Sequence, residues 1–334
     1  MKASKQNPIY TAFVISGGTK YDVNPALLGI SLSDEDKQIA QSATIQLASV
    51  KVGDSTLADL IKPRSRVYIY ADDGEKNDEV FRGFVWKRPR KNALEESAFD
   101  LRCYDNLIYL QESDDSAYFS AGKSTKDVFT SLCSKWGIKL SYTYRNVTHS
   151  KLVLRGKLAD IFIADLLDPV KQRTGQKYTV LSEKDVLHVK NVGSNSTIYH
   201  FIEKQNVTEA SDEFTMDGMV TKVVILGKAD SEGKEPVEAV VSGNTAMYGT
   251  IQKIIDRDED TTLADAKHEA QSIIEDDGAP KWTYELRAVN VPWIRKGDKV
   301  YVKAGGIVGY FIVTSVERTI SKDKNEMTLS LEDV

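Results

Sequence analysis

The stretch IRKGDKVYVKAGGIVGYFIV, Ile294–Val313, has an earlier counterpart in IKPRSRVYIYADDGEKNDEVFRGFV, Ile61–Val85. Each opens with an apolar residue and a short basic turn. Each then alternates β-formers: Val67, Tyr68, Ile69 and Tyr70 in the first copy, Val300, Tyr301 and Val302 in the second. A polar loop, a glycine (Gly83, Gly309) and an aromatic-rich strand follow. A third alternating run closes each copy: Phe99, Leu101 and Cys103, then Met327, Leu329 and Leu331. Period two is the mark of a half-buried strand. The spacing from Val67 to Gly83 exceeds that from Val300 to Gly309. The surplus falls in a solvent-type loop, where insertion is tolerated. Alternation alone is common to any antiparallel meander. What favours duplication is the order, since the copies close the first and last thirds of the chain around an unlike middle.

The chain has 334 residues, too many for one ordinary core, so two or three domains are expected. It is 41% hydrophobic and 28% charged with a net charge of −5, which argues against a dedicated nucleic-acid binder. Cys103 and Cys133 are the only cysteines, and both read as small buried hydrophobes rather than a disulfide or metal pair. No apolar run reaches bilayer length, and MKASKQNPIYTAF lacks the apolar core of a signal peptide. The expectation is a protein made in a cytoplasm, without a secretion signal or membrane insertion.

From Pro8 to Leu110 the period is two. IYTAFVIS, ALLGISLS, ATIQLAS, RVYIYA, FRGFVWK and AFDLRCY read as strands of a barrel or sandwich. Gln111–Lys123, polar and small, reads as a linker. STKDVFTSLCSKWG then predicts a helix capped at Ser124 or Thr125, with Val128, Phe129, Leu132 and Trp136 on one face and Gly137 as its stop. IKLSYTY and KLVLR read as strands. LADIFIADLLDPVKQRTG reads as a second helix, in which Pro169 should force a kink or break. KYTVLSEKDVLHVKNV reads as a hairpin around Ser182 to Lys184. Beyond it TKVVILGK, PVEAVVSG and WTYELRAV are strands. A helix from Thr261–Thr262, with Leu263, Ala266, Ala270, Ile273 and Ile274 on one face, ends at Gly278. The expected domains are residues 1–112, a first β-barrel; 113–123, a linker; 124–195, a small α/β domain; and 196–334, a second β-barrel with one helix.

Tests for chemistry fail. DRDEDTTLADAK, Asp256–Lys267, begins like a calcium loop but has Thr261 and Lys267 where an EF-hand needs Gly and Glu. Its acids suit the start of a helix that Thr262 can cap. SGGTK, Ser16–Lys20, lacks phosphate-loop spacing and a following helix, so a hairpin turn is the better reading. His149, His188, His200 and His268 form no metal-ligand pattern, His188 should face solvent, and no nucleophile elbow is present. The acid pairs Glu95–Glu96, Asp114–Asp115 and Asp276–Asp277 fall in predicted turns. The one sharp basic cluster is WKRPRK, with Lys87, Arg88, Arg90 and Lys91. It can meet an acidic partner or phosphates, or it can guard a strand edge from wrong pairing. Both readings make it a candidate assembly edge.

VFRGFV (Val80–Val85) with CYDNLIYLQES (Cys103–Ser113), then AMYGTI (Ala246–Ile251), LADAKHEAQSII and IRKGDKVYV…GYFIVTSVERTI…MTLSLED resemble the baseplate hub proteins of contractile phage tails. The resemblance is to the XkdQ/YqbQ group, related to late control protein D. It covers nearly the whole chain and its motifs are structural, with Gly83, Asp105, Gly249, Gly297, Asp298 and Gly309 as motif positions. It implies a mainly β, α+β chain with two similar tube-like β-barrels flanking a small α/β domain. It also implies a non-enzymatic homotrimer, a pseudo-sixfold ring that joins the tail tube to the central spike. The implied partners are the tube, spike, tape measure and baseplate wedge proteins. Cofactors, metals and sequence-specific nucleic-acid contacts are not expected. The implied location is the tail baseplate of a virion or bacteriocin particle, assembled in the host cytoplasm. KPRSRV replaces the family-like RKGDKV in the first copy, so Pro63–Arg66 is expected to make a different turn. A cell-wall-degrading tail enzyme and a carbohydrate-binding adhesin are the other classes; the first needs a catalytic constellation, the second clustered exposed aromatics.

Overall fold

The computed structural model describes residues 7–36, 38–89, 98–143, 146–229, 231, 233–257 and 261–334. It is mostly β, and all six strands expected before Leu110 form: Ile9–Ser16, Leu27–Asp34, Ser42–Ala48, Arg66–Asp72, Asn77–Lys87 and Ala98–Tyr104. Ile9–Ser16 turns into Thr19–Asp22 through Gly17 and Gly18, at φ of 56° and 82°. Two successive positive φ values are what a mirror-image hairpin turn demands. The alternation buries Ala12, Val14, Ile45, Leu47, Val67, Ile69, Leu101 and Cys103 in one core.

The two copies share a three-strand meander. In the first, Arg66–Asp72 pairs with Asn77–Lys87, which pairs with Ala98–Tyr104. In the second, Lys299–Ala304 pairs with Ile307–Ser321, which pairs with Asn325–Asp333. The turns that precede them also match, contrary to the expectation for Pro63–Arg66. Arg64 N–H donates to Val85 O (3.0 Å) and Gly297 N–H to Val313 O (2.7 Å). Val85 N–H returns to Ser65 O (2.9 Å) and Val313 N–H to Asp298 O (2.8 Å). Ser65 Oγ accepts the Lys62 N–H at 3.1 Å, as Asp298 Oδ2 accepts the Arg295 N–H at 2.9 Å. Arg64 and Gly297 both take positive φ, 62° and 85°. A serine hydroxyl thus does the work of a carboxylate, and the backbone repeats although the side chains do not. Past the turns, the register shifts between Val85 and Lys87 in one copy and between Val313 and Ser315 in the other. By this pairing Gly83, opposite Val67, corresponds to Phe311, opposite Val300, and not to Gly309.

Both meanders lie in one thirteen-stranded sheet. The joint is the strand Leu27–Asp34, which pairs with Ser42–Ala48 on one side and with Val316–Ser321 on the other. Asn290 Nδ2 to Tyr10 Oη and Asn325 Nδ2 to Pro8 O, both 2.8 Å, add to it. The second core contains Leu286, Val300, Val302, Val313, Val316 and Leu329, and Trp293 packs against both cores.

The expected linker is a strand. Asp114–Phe119 pairs with Leu152–Lys157, with Asp115, Ala117 and Phe119 half-buried and their neighbours exposed. Its polar composition hides a period of two. The helix Thr125–Lys135 has a full capping box, Ser124 with Asp127. Pro169 sits in the first turn of Asp168–Thr174, where its missing N–H is no loss. The expected kink takes the form of a π-helical stretch, Ile161–Leu167, just before it. Tyr178–Glu183 and Val186–Asn191 form the expected hairpin, turning at Lys184 and Asp185. Ile39, Leu107 and Leu110 share a core with Val128, Phe129, Phe162 and Leu187, so this layer grows directly from the first segment.

Asp212–Thr283 form a compact unit of their own. Its sheet runs Val237–Ser242, Lys222–Leu226, Gln252–Asp256. The helix Leu263–Asp277, expected within the second barrel, covers this sheet instead, with its Ala266 and Ala270 packed in one core with Val223 and Ile225. Thr262 caps it, accepting the Asp265 N–H at 3.2 Å. Asp276 and Asp277 are its last residues rather than a turn.

Candidate functional site

The turn Arg295–Asp298 plugs into the first segment through charge. Arg295 Nε donates to Asp34 Oδ2 at 2.7 Å, and Lys296 Nζ lies 3.7 Å from Asp34 Oδ1. Lys296 Nζ also donates to the carbonyls of Glu35 and Gln38. Asp34 is 1% exposed and Lys296 5%. Burial would raise the Asp34 carboxyl, but Arg295 and Lys296 outweigh it and hold it below the usual carboxylate range. Burial also pulls the Lys296 ammonium below its ordinary value, against the attraction of Asp34. A buried pair of this kind contributes little net stability when intact but is costly to break on one side.

Two more carboxyls line the junction. Asp105, fully buried, accepts the backbone N–H groups of Gln41 (3.0 Å) and Leu107 (2.9 Å). Burial pushes it up to about 7 despite those bonds. Burial likewise pushes Asp298 up to about 6. From the hairpin tip, Asp185 meets Arg66 at 2.5 Å and Arg82 at 3.5 Å, and Ser182 Oγ donates to Asn106 Oδ1 at 2.6 Å.

The polar loop of the first copy has a role here. Trp293 Nε1 donates to Asp73 Oδ2 at 2.6 Å, and Lys76 Nζ lies 4.1 Å from the centre of the Trp293 ring. The inserted residues therefore grip the second module. A cavity of about 860 Å³ opens beside this clasp, bounded by Asp73, Lys76, Glu183, Lys190, Trp293 and Asp298. Its acids are engaged with neighbours: Asp73 by Trp293, Glu183 by Lys190. Among the described residues no group of three His, Cys, Asp or Glu could hold a metal ion. Burial pushes the Cys133 thiol up to about 12 and Cys103 higher still, so neither is a nucleophile at neutral pH. Both are free and buried. His188 is half-buried on the hairpin rather than turned to solvent, and burial lowers its pKa.

Asp105, Gly297 and Asp298 thus belong to the junction. A Cβ on Gly297 would come within 2.6 Å of Thr179 Cγ2, and one on Gly83 within 2.1 Å of Tyr104 O. Gly249 ends the short helix Thr245–Tyr248 at φ 78°, and Gly309 lies opposite Val302. The expected sheet edge at the basic cluster is not an edge along its length: Asn77–Lys87 is flanked by Arg66–Asp72 and Ala98–Tyr104. Its last residues, past the pairing of Phe84 with Arg66, run beyond the first of these partners and include Lys87; Arg88, just after the strand, donates Nη1 to Ile61 O at 3.2 Å. Arg90, Lys91 and the pair Glu95–Glu96 lie outside the described residues. Asp34, Asp73, Trp293, Arg295 and Lys296 were not singled out by sequence. The available signal was the pair of adjacent cations in a tight turn.

The family model described as YQBQ-like matches residues 31–332. The chain belongs to the YQBQ-like family. No curated protein sequence matches it. Among solved structures, this YQBQ-like chain is similar to the tail protein from Neisseria meningitidis MC58, with a TM-score of 0.71 at 15% identity over 97% of this chain and 96% of that one. It is similar to the 43 kDa tail protein of prophage MuSo2 from Shewanella oneidensis, with a TM-score of 0.70 at 15% identity, covering 97% and 98%. It is also similar to the E. coli c3393 protein, a type VI secretion component described as resembling the T4 tail proteins gp27 and gp5, with a TM-score of 0.58 at 9% identity, covering 92% and 74%. The YQBQ-like fold is therefore the one that these tail proteins and the type VI secretion component share. No helix among the described residues is long and apolar enough to cross a membrane.

Proposed function

We propose that this chain is the structural baseplate hub of a contractile tail, a homotrimer whose two ring modules per chain give six similar edges around a threefold axis. The observation that carries this reading is the repeated turn-and-meander, its copies joined edge to edge by Val316–Ser321 on Leu27–Asp34. A sixfold tube needs six like surfaces, whereas a threefold spike needs three. A trimer of a chain with two ring modules meets both, and a closed ring leaves no sheet edge open to wrong pairing. The role is structural, with the tube, spike, tape measure and wedge proteins as partners, in a tail particle assembled before release. Imaging of assembled particles tests it: three copies around the tail axis are expected, and one or six would overturn it.

A further inference from the structure

The joint inside the chain describes a second joint between chains. In the second module the long strand Ile307–Ser321 outruns its partner Lys299–Ala304. Past the register shift between Val313 and Ser315 the vacated side is taken by Leu27–Asp34 of the first module. Leu27–Asp34 is reached by a fixed path: third meander strand Ala98–Tyr104, then Ser42–Ala48, then Leu27–Asp34. The same path in the second module runs Asn325–Asp333, Lys281–Val289, Val207–Thr215. Val207–Thr215 is thus the second module's version of the receiving strand. Beyond an isolated bridge between Glu203 and Val207, no strand among the described residues pairs with its outer side.

The inserting element also has a second version. Val85 makes the turn contacts that Val313 makes, and the register shift that follows is the same in both copies. Lys87 therefore stands where Ser315 stands, and Ser315 Oγ accepts the Asp36 N–H at 3.2 Å in the joint within the chain. Lys62 stands where Arg295 stands, the residue that meets Asp34. Charge follows the same plan. The inserting end carries Lys62, Lys87 and Arg88, and the free strand carries Glu209, Asp212 and Glu213.

We propose that the free edge of Val207–Thr215 receives a second copy of this chain, seated by the Lys62 turn and the Lys87–Arg88 end of its first module. The proposal rests on the ring reading above and names the surface that closes it. First and second modules then alternate around the ring through one kind of contact, inside chains and between them. The contact is head-to-tail, so closure at three copies depends on the rotation each joint imposes.

The test is a charge swap in assembled tail particles. K62E/K87E reverses one side and E209K/E213K the other; both pairs are exposed, the exposed ion pair of Glu209 with Arg287 (2.8 Å) contributes little to folding, and Arg88 is left alone because it holds the Ile61 carbonyl. Each double variant is expected to melt like the parent yet enter particles at least tenfold less, and the quadruple variant to recover. Equal incorporation of all variants overturns the proposal. So does loss that the quadruple variant, melting normally, fails to recover. Copy number is read separately in parent particles. Three copies with swap-insensitive incorporation leaves the ring and removes this surface. Recovery by the swap with another copy number keeps the surface and removes the ring.

Discussion

Arg64 and Gly297 hold the same place in two copies of one turn, each at positive φ and each donating its N–H to the second strand of its meander, at Val85 O and Val313 O. The cost of that conformation differs. A non-glycine residue in the left-handed region is strained by about 1–2 kcal/mol. Arg64 bears this in open surroundings, its guanidinium 5.6 Å from the ring centres of Phe84 and Tyr109. Gly297 has Thr179 against it. G297A is expected to lose about 2–4 kcal/mol, strain and clash together, whereas R64G should stay within about 1 kcal/mol of the parent. Urea unfolding decides; equal losses would mean that the Thr179 contact is not what excludes a side chain.

Removing Asp34's charge should be costly. D34N leaves Arg295 and Lys296 facing one another in the interior without their shared anion. Breaking one side of a buried pair costs about 3–5 kcal/mol. Lys296 would then favour its neutral form further, since Asp34 is the charge that supports it. A denaturation midpoint unchanged from the parent would show that the junction adds nothing.

Much of the fold was legible and the junction was not, for physical reasons. Six strands and two capped helices announce themselves locally, through alternation, Ser124 with Asp127, and Thr262 with Asp265. The strand Asp114–Phe119 was hidden because only Asp115, Ala117 and Phe119 mark its inner side. Matching glycines misaligned the copies, because hydrogen bonds and not residue identity define the equivalence of Gly83 and Phe311. KPRSR and RKGDK share one turn through backbone groups that letters do not show. The pairing of Val316–Ser321 with Leu27–Asp34 joins segments nearly a chain length apart, and no local pattern specifies it.

The clasp on Trp293 gives a third prediction. W293F keeps an aromatic ring between the two cores and under Lys76 but removes the indole N–H that Asp73 accepts. The bond goes to a charged acceptor, so its loss should cost about 1.5–3 kcal/mol. D73N should cost less, because an amide oxygen can still accept. If W293F and the parent melt together, the loop of the first copy is the free solvent loop that its composition suggests.

Stability should fall as pH rises from about 4 to 7. Asp105 and Asp298 are raised to about 7 and about 6 in the folded chain, from an ordinary value of 3.8. Between the unfolded and folded values the folded state binds more protons, so each rise in pH through that window disfavours it. At about 1.4 kcal/mol per pKa unit, Asp105 alone accounts for a change on the order of 4 kcal/mol. Asp34 acts in the opposite sense. Its lowered value adds stability that is present above 3.8 and is lost as pH falls through the folded value. The two trends place the maximum in mild acid, between the loss of Asp34 ionisation below and the forced ionisation of Asp105 and Asp298 above. Thermal unfolding should give a higher Tm at pH 5 than at pH 8. D105N, which has no charge to bury, should flatten that difference even though one of its two N–H partners then faces an amide nitrogen. A parent Tm that climbs from pH 5 to pH 8, or a D105N profile as steep as the parent's, would rule out Asp105 as the source.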